Sequence, residues 1–430
     1  MKRDYHTFSL KNTKQFKQQM LSWANRFGIC CFLDNHQYSS SYQSYECIAA
    51  VGVHKKFLPQ DDLFSSLSSF IQNHHDWLFG HFNYEIKNRL EAGLESTHPD
   101  ATEFPECFFF IPEILLTIEN DQLTIGILTG SASEIYQQIL QEQIQEKVLL
   151  PIQFSPRIKK EKYVEAVNKL IQHIHLGDCY VINYCQEFFA YAAIDPLSVY
   201  RSLTNISPTP FSAYYRLHDK YLLCASPERF LKKQGNKIIS QPIKGTAPRE
   251  HDNAEMDEKN KRQLHTDLKE RSENVMVVDL VRNDMSKVCK SGTVIVDELF
   301  GMYRFPTVHQ MISTVTGILK EEVGIAEIIQ ALFPMGSMTG APKKRVMELI
   351  EQYEYSKRGI YSGTIGYITP EKNMDFNVVI RSLVYNQNTD YLSYHVGSAI
   401  TAYCQAEKEY EECMLKGETM RRVLTKTATN

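Results

Sequence analysis

QPIKGTAPR, residues 241–249, holds a lysine between a proline–isoleucine pair and a glycine–threonine pair. Proline fixes φ and glycine permits φ values that other residues avoid, so the segment is predicted to be a rigid loop with a shaped backbone. A lysine on an ordinary loop is most often a solvated charge. Lys244 is therefore interpreted together with the motifs on either side of it.

Length and composition set broad limits. A chain of 430 residues is long enough for a large core and for two or three domains. The hydrophobic fraction of 43% and the charged fraction of 23% are ordinary for a soluble globular protein. The net charge is -4 and no basic patch stands out, which argues against nucleic-acid binding.

Targeting and metal-binding cysteine patterns are not found in the sequence. Residues 1–15 have no apolar run behind their basic start, and no stretch reaches the length of a membrane-spanning helix. We therefore expect a cytoplasmic protein without membrane attachment. The ten cysteines are scattered without a CxxC pair, which predicts reduced, mostly buried thiols and no zinc site.

Hydrophobic periodicity predicts strands and helices that interleave without a βαβ repeat. A proline-bounded stretch within residues 130–160 is the best boundary candidate. The predicted elements are a helix over 13–27, strands over 28–33 and 46–53, two strands around a turn within 107–128, a helix over 159–177 and a long strand over 177–193.

Seven further motifs accompany the lysine segment. They are SPERF (226–230), DLKERSENVMVVDLVRND (267–284), FPTVHQMISTV (305–315), FPMGSMTGAPKKRVMELI (333–350), FNVVIRS (376–382), VGSAIT (396–401) and EKEYEECMLK (407–416). In this order they resemble the chorismate-utilising enzymes, and PIKGT is similar to the aminodeoxychorismate synthase branch of that family.

The resemblance implies a fold. It is an α+β (mixed α/β) fold, a layered sandwich of two large, mainly antiparallel sheets with outer helices. An N-terminal part, residues 1–150, and a chorismate-binding catalytic part, residues 151–430, would pack as one compact unit, with the active site in a cleft of the second part.

Two pairs of glutamates are spaced three apart, Glu270 with Glu273 and Glu409 with Glu412. The first pair is predicted to end a helix that begins near Glu255. Such spacing puts like charges on one helical face, which either solvent or a hard divalent cation can accommodate. The resemblance implies Mg²⁺ ligands here, with Glu273 and Glu412 closest and Glu270 and Glu409 in support.

The resemblance also implies groups that bind the two carboxylates of chorismate. Arg381 can grip a carboxylate through two parallel hydrogen bonds, and Lys416 lies one helical turn after Glu412. Taken alone, each is more often a surface charge. The other implied substrate-binding residues are Thr246, Tyr361, Gly397, Ser398 and Ala399.

The glycine-rich stretch GSMTGAPKK, residues 336–344, lacks the Gly-Lys-Ser/Thr order of a nucleotide-binding P-loop. Pro342 instead suits the first turn of a helix over 343–353. The start of that helix favours an anion, for which a carboxylate serves as well as a phosphate.

Three residues are implied to make and break bonds. Glu228 would be the general acid that protonates the departing C4 hydroxyl, and its pKa would have to rise for that role. His309 would contact the same hydroxyl, although an isolated histidine is more often structural. Lys244 would attack C2 as a neutral amine, and ammonia would then displace it by adding at C4.

The implied activity is a transferase-type, magnesium-dependent amination of chorismate to 4-amino-4-deoxychorismate, toward para-aminobenzoate and folate. No glutamine-hydrolysing cysteine triad is evident, so ammonia would come from a separate glutamine amidotransferase subunit in a heterodimer. Val181 stands where relatives that install water have a lysine and those that install ammonia usually have glutamine or glutamate.

Three other functions stay open. Anthranilate synthase component I is the nearest, but that branch does not need Lys244. A non-catalytic subunit that binds chorismate or the amidotransferase is a second, motivated by Val181. A purely structural or interaction protein would leave the ordered motifs unexplained.

Overall fold

The structure is a computed structural model that describes residues 2–38, 41–42, 44–59, 61–145, 147–306 and 308–424. Residue 1 and residues 425–430, the outer ends of the two predicted parts, lie outside these ranges, as does residue 146 in the boundary stretch. Within them, no helix is both long and apolar enough to cross a membrane. All ten cysteines are described; they are free thiols, and every one except Cys404 is buried.

The strands, in chain order, are β1 (Asp4–Ser9), β2 (Ile29–Asp34), β3 (Cys47–Val51), β4 (Lys55–Phe57), β5 (Leu78–Phe82), β6 (Cys107–Ile111), β7 (Ile114–Glu119), β8 (Gln122–Ile127), β9 (Ser155–Pro156), β10 (Val181–Tyr191), β11 (Phe211–Leu217), β12 (Lys220–Ser226), β13 (Arg229–Gln234), β14 (Lys237–Gln241), β15 (Ile243–Pro248), β16 (Ile295–Arg304), β17 (Val308–Ile318), β18 (Gly340–Ala341), β19 (Thr364–Ile368), β20 (Met374–Asn377), β21 (Ser382–Asn386) and β22 (Tyr391–Ile400).

The α-helices are α1 (Thr13–Ala24), α2 (Leu63–Asn73), α3 (Lys87–Leu90), α4 (Ala132–Leu140), α5 (Lys160–His175), α6 (Pro196–Ile206), α7 (Ala254–Thr266), α8 (Leu268–Val288), α9 (Ile325–Leu332), α10 (Lys343–Tyr353), α11 (Ala406–Lys416) and α12 (Glu418–Val423). Single 3-10 turns cover Tyr84–Ile86 and Gly336–Met338.

The strands form two large sheets. The first has the order β1-β8-β7-β3-β2-β11-β12-β21-β22-β10-β18, with β9 beside β10. The second has the order β15-β17-β14-β13-β20-β19-β5-β6-β4, with β16 beside β17. The pairings run antiparallel, as between β10 and β22 or between β5 and β19. The predicted mixed α/β fold with two large antiparallel sheets is confirmed.

Strand β2 shows how the layers are built. Cys30 and Phe32 enter a core shared with α1, α4 and α5, whereas Ile29 and Cys31 enter a core shared with strands of the second sheet. Side chains alternate between the faces of a strand, so a strand buried on both faces places them in two cores. A third core packs α2, α8 and α9 on the second sheet. The layers are therefore helices, sheet, sheet and helices.

Both sheets contain strands from either side of residue 150. In the first sheet β2 pairs with β11, and in the second β5 pairs with β19. Each of these pairings joins the N-terminal range to the C-terminal range. The division into 1–150 and 151–430 as one packed unit stays a prediction.

Residues 107–128 form three strands, so the prediction of two was wrong. Strand β6 pairs with β5 in the second sheet, whereas β7 pairs with β3 in the first. The change of sheet falls at Pro112 and Glu113. Proline has no N–H to donate to a ladder, which explains why neither strand includes it.

The lysine segment is a strand, not the predicted loop. Strand β15 lies at one end of the second sheet and pairs with β17, where Ile243 faces Ile312 and Thr246 faces Gln310. The register shift between these pairs is an irregularity centred on Lys244 and Gly245. A bulge of this kind re-aims a side chain, and edge strands tolerate proline.

The helix predicted from near Glu255 to Glu273 is two helices. Asp267 ends α7 and accepts a hydrogen bond from the backbone N–H of Glu270, 3.0 Å away, as the N-cap of α8. Glu270 and Glu273 therefore lie at the start of a helix rather than at the end of one. The helix predicted over 343–353 is confirmed as α10, directly after Pro342.

Candidate active site

The bulge in β15 places Lys244 against helix α8. Its Nζ lies 3.9 Å from Oε2 of Glu273. Gly245 has φ +86°, and a Cβ there would lie 3.2 Å from Oε2 of Glu270 and 2.9 Å from Leu264. Glycine is needed both for this backbone conformation and for the close approach of Glu270.

The four glutamates come from two helices that meet at one place. Glu270 and Glu273 lie in the first turns of α8, while Glu409 and Glu412 lie in α11. Lys269 joins the helices, since its Nζ is 3.9 Å from Oε1 of Glu273 and 3.4 Å from Oε1 of Glu409. Sequence reasoning missed Lys269, although it directly precedes Glu270.

The electrostatics of the cluster fit a cation. Burial raises the pKa of Glu270, and the negative charges of Glu273 and Glu412 raise it further. Burial also raises the pKa of Glu273, against the opposing effect of Lys244 and Lys269. The raised pKa values show that burial penalises these charged carboxylates more than the nearby lysines stabilise them, and a bound cation would offset that penalty.

The donor set is chemically right for magnesium but loosely arranged. Within the described ranges, no three carboxylate, histidine or cysteine groups stand close enough together to form a metal-ligand set. Magnesium, however, is usually held by one or two carboxylates, with water and substrate oxygens completing its shell. Glu273 and Glu412 are sufficient in number for such a site.

Lys416 connects α11 to β22. Its Nζ lies 2.7 Å from Oε1 of Glu412 and donates a hydrogen bond to the carbonyl oxygen of Gly397 at 3.1 Å. Burial would raise the pKa of Glu412, but Lys416, with smaller effects of Lys269 and Lys244, outweighs burial and the pKa is lowered. The hydroxyl of the next residue, Ser398, hydrogen-bonds Glu409.

Strand β22 carries the VGSAI motif beside β10. Gly397 faces Cys185 in the ladder, and a Cβ on the glycine would lie 2.6 Å from the cysteine Sγ. Ala399 faces Asn183 in the same ladder. Small residues are thus required here because β10 side chains crowd the face of β22.

Glu228 is a buried acid next to the lysine. It lies between β12 and β13 and is 4% exposed. Burial raises the pKa of its carboxyl to about 7, although a hydrogen bond from Ser337 and the charge of Lys244 oppose the rise. A carboxyl with this pKa holds or releases a proton near neutral pH, as a general acid must.

Arg381 lies close enough to Lys416 and Tyr361 to interact with both electrostatically. The Arg381 guanidinium makes no hydrogen bond or ion pair with any residue that the structure describes, and burial lowers its pKa, against the effect of Tyr361. Tyr361 is 4% exposed and its ring stacks on His395, with centroids 5.0 Å apart. A largely buried guanidinium without a partner favours an anionic ligand.

Two candidate residues stand apart from the carboxylate cluster. Thr246 is exposed on β15. His309 is fully buried on β17, where it faces Ala247 in the ladder and bonds to Asp257 of α7. In the part of the chain that the structure describes, no hydrogen bond or ion pair joins either residue to the four glutamates. Strand β15, which carries Thr246 and pairs with the strand of His309, links both of them to Lys244.

A separate cavity lies between the sheets. Pro227 and Ile243 line it, and these residues adjoin Glu228 and Lys244. Arg229, which is ion-paired with Asp375, and Asp34 supply charge to its wall. None of the sequence motifs predicted this cavity, because its walls come from segments far apart in the chain.

Sequence comparison places the chain in a family. Residues 28–422 match the model of the chorismate binding enzymes. Aminodeoxychorismate synthase component 1 of Escherichia coli (strain K12) is 35% identical over 350 residues, which are 81% of this chain and 76% of that protein. Anthranilate synthase component 1 of Thermus thermophilus is 30% identical over 353 residues, 79% of this chain and 76% of that protein.

Structural comparison agrees on the fold. Anthranilate synthase component I from Streptococcus pneumoniae superposes with a TM-score of 0.77 at 24% identity, over 90% of this chain and 95% of that one. MenF, the menaquinone-specific isochorismate synthase of Escherichia coli, gives 0.79 at 15% identity, over 98% and 94%. With the family match over nearly the whole chain, these findings show that the protein belongs to the chorismate-binding enzyme family.

Proposed function

We propose that this enzyme aminates chorismate to 4-amino-4-deoxychorismate, with Lys244 as a transient covalent nucleophile. The relatives named aminodeoxychorismate synthase component 1 support this activity. The observation that carries it is the position of Lys244, whose amine lies 3.9 Å from Glu273 at the carboxylate cluster. Lys244 also acts electrostatically on the buried acid Glu228.

In the first step the Lys244 nitrogen forms a bond to C2 of chorismate. The ring double bond shifts, the C4–O bond breaks, and Glu228 donates a proton so that the hydroxyl leaves as water. An attacking amine must be neutral, so Lys244 has to give up its ammonium proton and move away from Glu273, 3.9 Å from its Nζ, before it attacks. The proton lost by the lysine nitrogen can restore Glu228.

In the second step ammonia forms a bond to C4. The double bond shifts back, the bond from C2 to the lysine nitrogen breaks, and the free amine returns. The balance is one chorismate and one ammonia consumed, and one 4-amino-4-deoxychorismate and one water formed. Arg381 and Lys416 would bind the carboxylates of the substrate, with Tyr361, Thr246 and the backbone of residues 397–399 completing the pocket.

Glu273 and Glu412, supported by Glu270 and Glu409, would hold Mg²⁺. A bound magnesium ion would neutralise a substrate carboxylate and favour its entry into an acidic site. Without such compensation, the buried carboxylates of Glu270 and Glu273 would repel the anionic substrate, because like charges repel strongly where water is excluded.

Ammonia would come from a separate glutamine amidotransferase subunit. The relatives' name, component 1, implies a second component. The cysteines of this chain support a separate subunit for glutamine hydrolysis. Burial raises the pKa even of Cys404, which is only half-buried, to about 11. A nucleophilic cysteine needs the opposite shift.

The test is to incubate the purified chain with chorismate, magnesium and an ammonium salt and to identify products by mass spectrometry. We expect 4-amino-4-deoxychorismate. Lys244→Ala should lose it or form anthranilate instead, and so should Lys244→Arg, a control that keeps the charge beside Glu273 but lacks the nucleophile.

Anthranilate from the unmutated chain would instead assign it the anthranilate synthase reaction, which a relative at 30% identity makes the second candidate. Absence of either amine, even with glutamine and an amidotransferase partner, would favour a non-catalytic chorismate-binding subunit.

A further inference from the structure

The two ring nitrogens of His309 have different environments. The Nε2–H donates to Oδ1 of Asp257 at 2.8 Å. The other nitrogen, Nδ1, is equally buried, and no residue that the structure describes hydrogen-bonds to it. Because a buried polar atom without a partner is costly, an orphan nitrogen at a candidate site calls for a ligand.

Asp257 is itself held firmly. Arg249 Nε donates to Oδ1 at 2.8 Å and to Oδ2 at 3.1 Å, and the backbone N–H of Glu250 donates to Oδ1 at 3.0 Å. Burial alone would raise the pKa of the carboxyl, but these bonds and His309 outweigh it and lower the pKa. Asp257 is therefore a fixed anion that can only accept hydrogen bonds.

The charged groups around His309 come from three elements. Arg249 and Glu250 follow β15, Asp257 and Glu258 lie on α7, and Arg304 faces His309 across the β16–β17 ladder. Arg304 pairs with Glu258 at 3.0 Å, and Arg249 pairs with Asp257. Asp257 and Glu258 thus pair with different arginines, and of these two carboxylates Asp257 is the one that bonds to the imidazole.

We propose that Asp257 is a positioning residue that holds neutral His309 as the Nε2–H tautomer and so leaves Nδ1 as a hydrogen-bond acceptor. Nδ1 accepts a hydrogen bond from the substrate hydroxyl, and this bond orients a lone pair of the hydroxyl oxygen toward Glu228. Glu228 then adds its proton to the oxygen, and water leaves; His309 gains and loses no proton. The identity of this hydroxyl rests on the proposed function.

Strand pairing connects the Asp257–His309 pair to the strand that carries Lys244. His309 faces Ala247, three residues after Lys244 on the same strand, and Arg249 follows at the end of that strand. A single carboxylate thereby ties α7, the end of β15 and the imidazole together. Sequence motifs did not indicate Asp257, because it lies 52 positions from His309.

The first experiment reads the tautomer without substrate. In protein labelled with ¹⁵N-histidine, long-range proton–nitrogen spectra distinguish a protonated from an unprotonated ring nitrogen. The His309 signals are identified by their loss in His309→Gln. We expect protonated Nε2 and unprotonated Nδ1 in the unmutated chain and in Asp257→Asn, and a mixture of tautomers in Asp257→Ala.

The second experiment measures kcat and KM for chorismate against pH. Asp257→Ala should lower kcat roughly 10²- to 10³-fold with little change in KM, the range typical of losing one preorganised hydrogen-bonding group at a reacting oxygen. Asp257→Asn should lower kcat roughly tenfold or less, because a hydrogen bond to a neutral acceptor keeps about half the strength of a charge-assisted bond.

Two controls separate positioning from folding. Glu258→Gln changes the neighbouring carboxylate, whose partner is Arg304, and should alter neither the His309 signals nor the pH profile. Arg249→Met should lower stability but keep the tautomer.

The proposal is overturned if Asp257→Ala leaves the His309 signals unchanged, if Nδ1 carries the proton, or if kcat falls only with the folded fraction. Failure of the unmutated chain to aminate chorismate would count against the proposed function, while the tautomer spectrum would still test Asp257.

Discussion

Glu228 combines burial with a carboxyl pKa near neutrality, and this combination carries a cost in stability. Its pKa is about 7 in the folded chain and 4.5 in its ordinary state. The folded state therefore keeps a proton that the unfolded state has lost between these values. Stability falls as pH rises from 4.5 to 7, by about 3 kcal/mol in total.

Glu228→Gln should remove this pH dependence. We expect its unfolding free energy to equal that of the unmutated chain near pH 4 and to exceed it by up to about 3 kcal/mol at pH 8. Urea unfolding followed at both pH values measures the difference. Equal stabilities at pH 8 would show that the pKa of the Glu228 carboxyl is not raised. Glu228 would then be ionised at neutral pH and could not act as the general acid.

Arg381 is expected to lower the stability of the free chain and to strengthen chorismate binding. Its guanidinium is largely buried and has no partner among the described residues. Arg381→Met should raise the thermal midpoint of the free chain, because an uncompensated charge is removed. It should also weaken chorismate binding by about 1.5–3 kcal/mol, the strength of a hydrogen bond to a charged group.

Calorimetric titration with chorismate and a thermal melt of the same preparation measure both quantities. Lys233→Met provides the control, since that half-buried lysine of β13 donates a hydrogen bond to the carbonyl oxygen of Lys372, between β19 and β20. The control should change stability without changing chorismate affinity. A lower melting midpoint for Arg381→Met would indicate a structural role for the guanidinium.

At the scale of single residues, spacing of three on a helix predicts that the glutamates of each pair share a face, whereas the family resemblance implied that the two pairs meet at one site. Lys269 and Asp257 were not predictable in this way. Their roles come from contacts across elements: Lys269 reaches Glu409 on α11, and Asp257 reaches His309 on β17. Contacts between distant segments leave no local pattern.

The boundary between helices α7 and α8 has a local sequence signal, the N-cap residue Asp267. Residues 254–273 contain no proline or glycine, which favours one long helix. Asp267 nevertheless stands three residues before Glu270, the spacing of a capping box. The N-cap decides where α8 begins and hence where Glu270 and Glu273 lie relative to β15.

Asp267→Ala should therefore affect more than helix stability. Losing the cap should cost about 1 kcal/mol. It should also raise the magnesium concentration needed for half-maximal amination, because the first turn of α8 carries Glu270 and Glu273. The matched control is Asn253→Ala, which removes the N-cap of α7, where Asn253 accepts from Met256 N–H at 3.0 Å.

Magnesium titrations of activity, with urea unfolding of each variant, distinguish the two caps. We expect similar losses of stability and a magnesium effect in Asp267→Ala alone. A similar magnesium effect in Asn253→Ala would mean that general loosening, rather than the start of α8, controls the cation site.

At the scale of the whole molecule, strand patterns could predict sheets but not which strands share one. Strands β6 and β7 are neighbours in the sequence but belong to different sheets, which change at Pro112. Strands β2 and β11 are far apart in the sequence but pair in one sheet. Resemblance to a known family supplied the layered sandwich. Periodicity alone supplied only the individual strands.

Sharing of both sheets between the N-terminal and C-terminal ranges predicts one cooperative unfolding transition. The two tryptophans report on different layers: Trp23 lies in the core between helices and the first sheet, and Trp77 in the core between the sheets. If no layer melts alone, both must change environment together.

Single-tryptophan variants make this measurable. Trp77→Phe leaves Trp23 as the only tryptophan, and Trp23→Phe leaves Trp77; excitation at about 295 nm keeps the signal of the 24 tyrosines out. Each substitution changes stability, so the fluorescence midpoint in urea is compared with the far-ultraviolet circular dichroism midpoint of the same variant. We expect the two midpoints to coincide in both variants. A fluorescence transition that precedes the loss of secondary structure in one variant alone would identify the layer that opens first and would contradict a single packed unit.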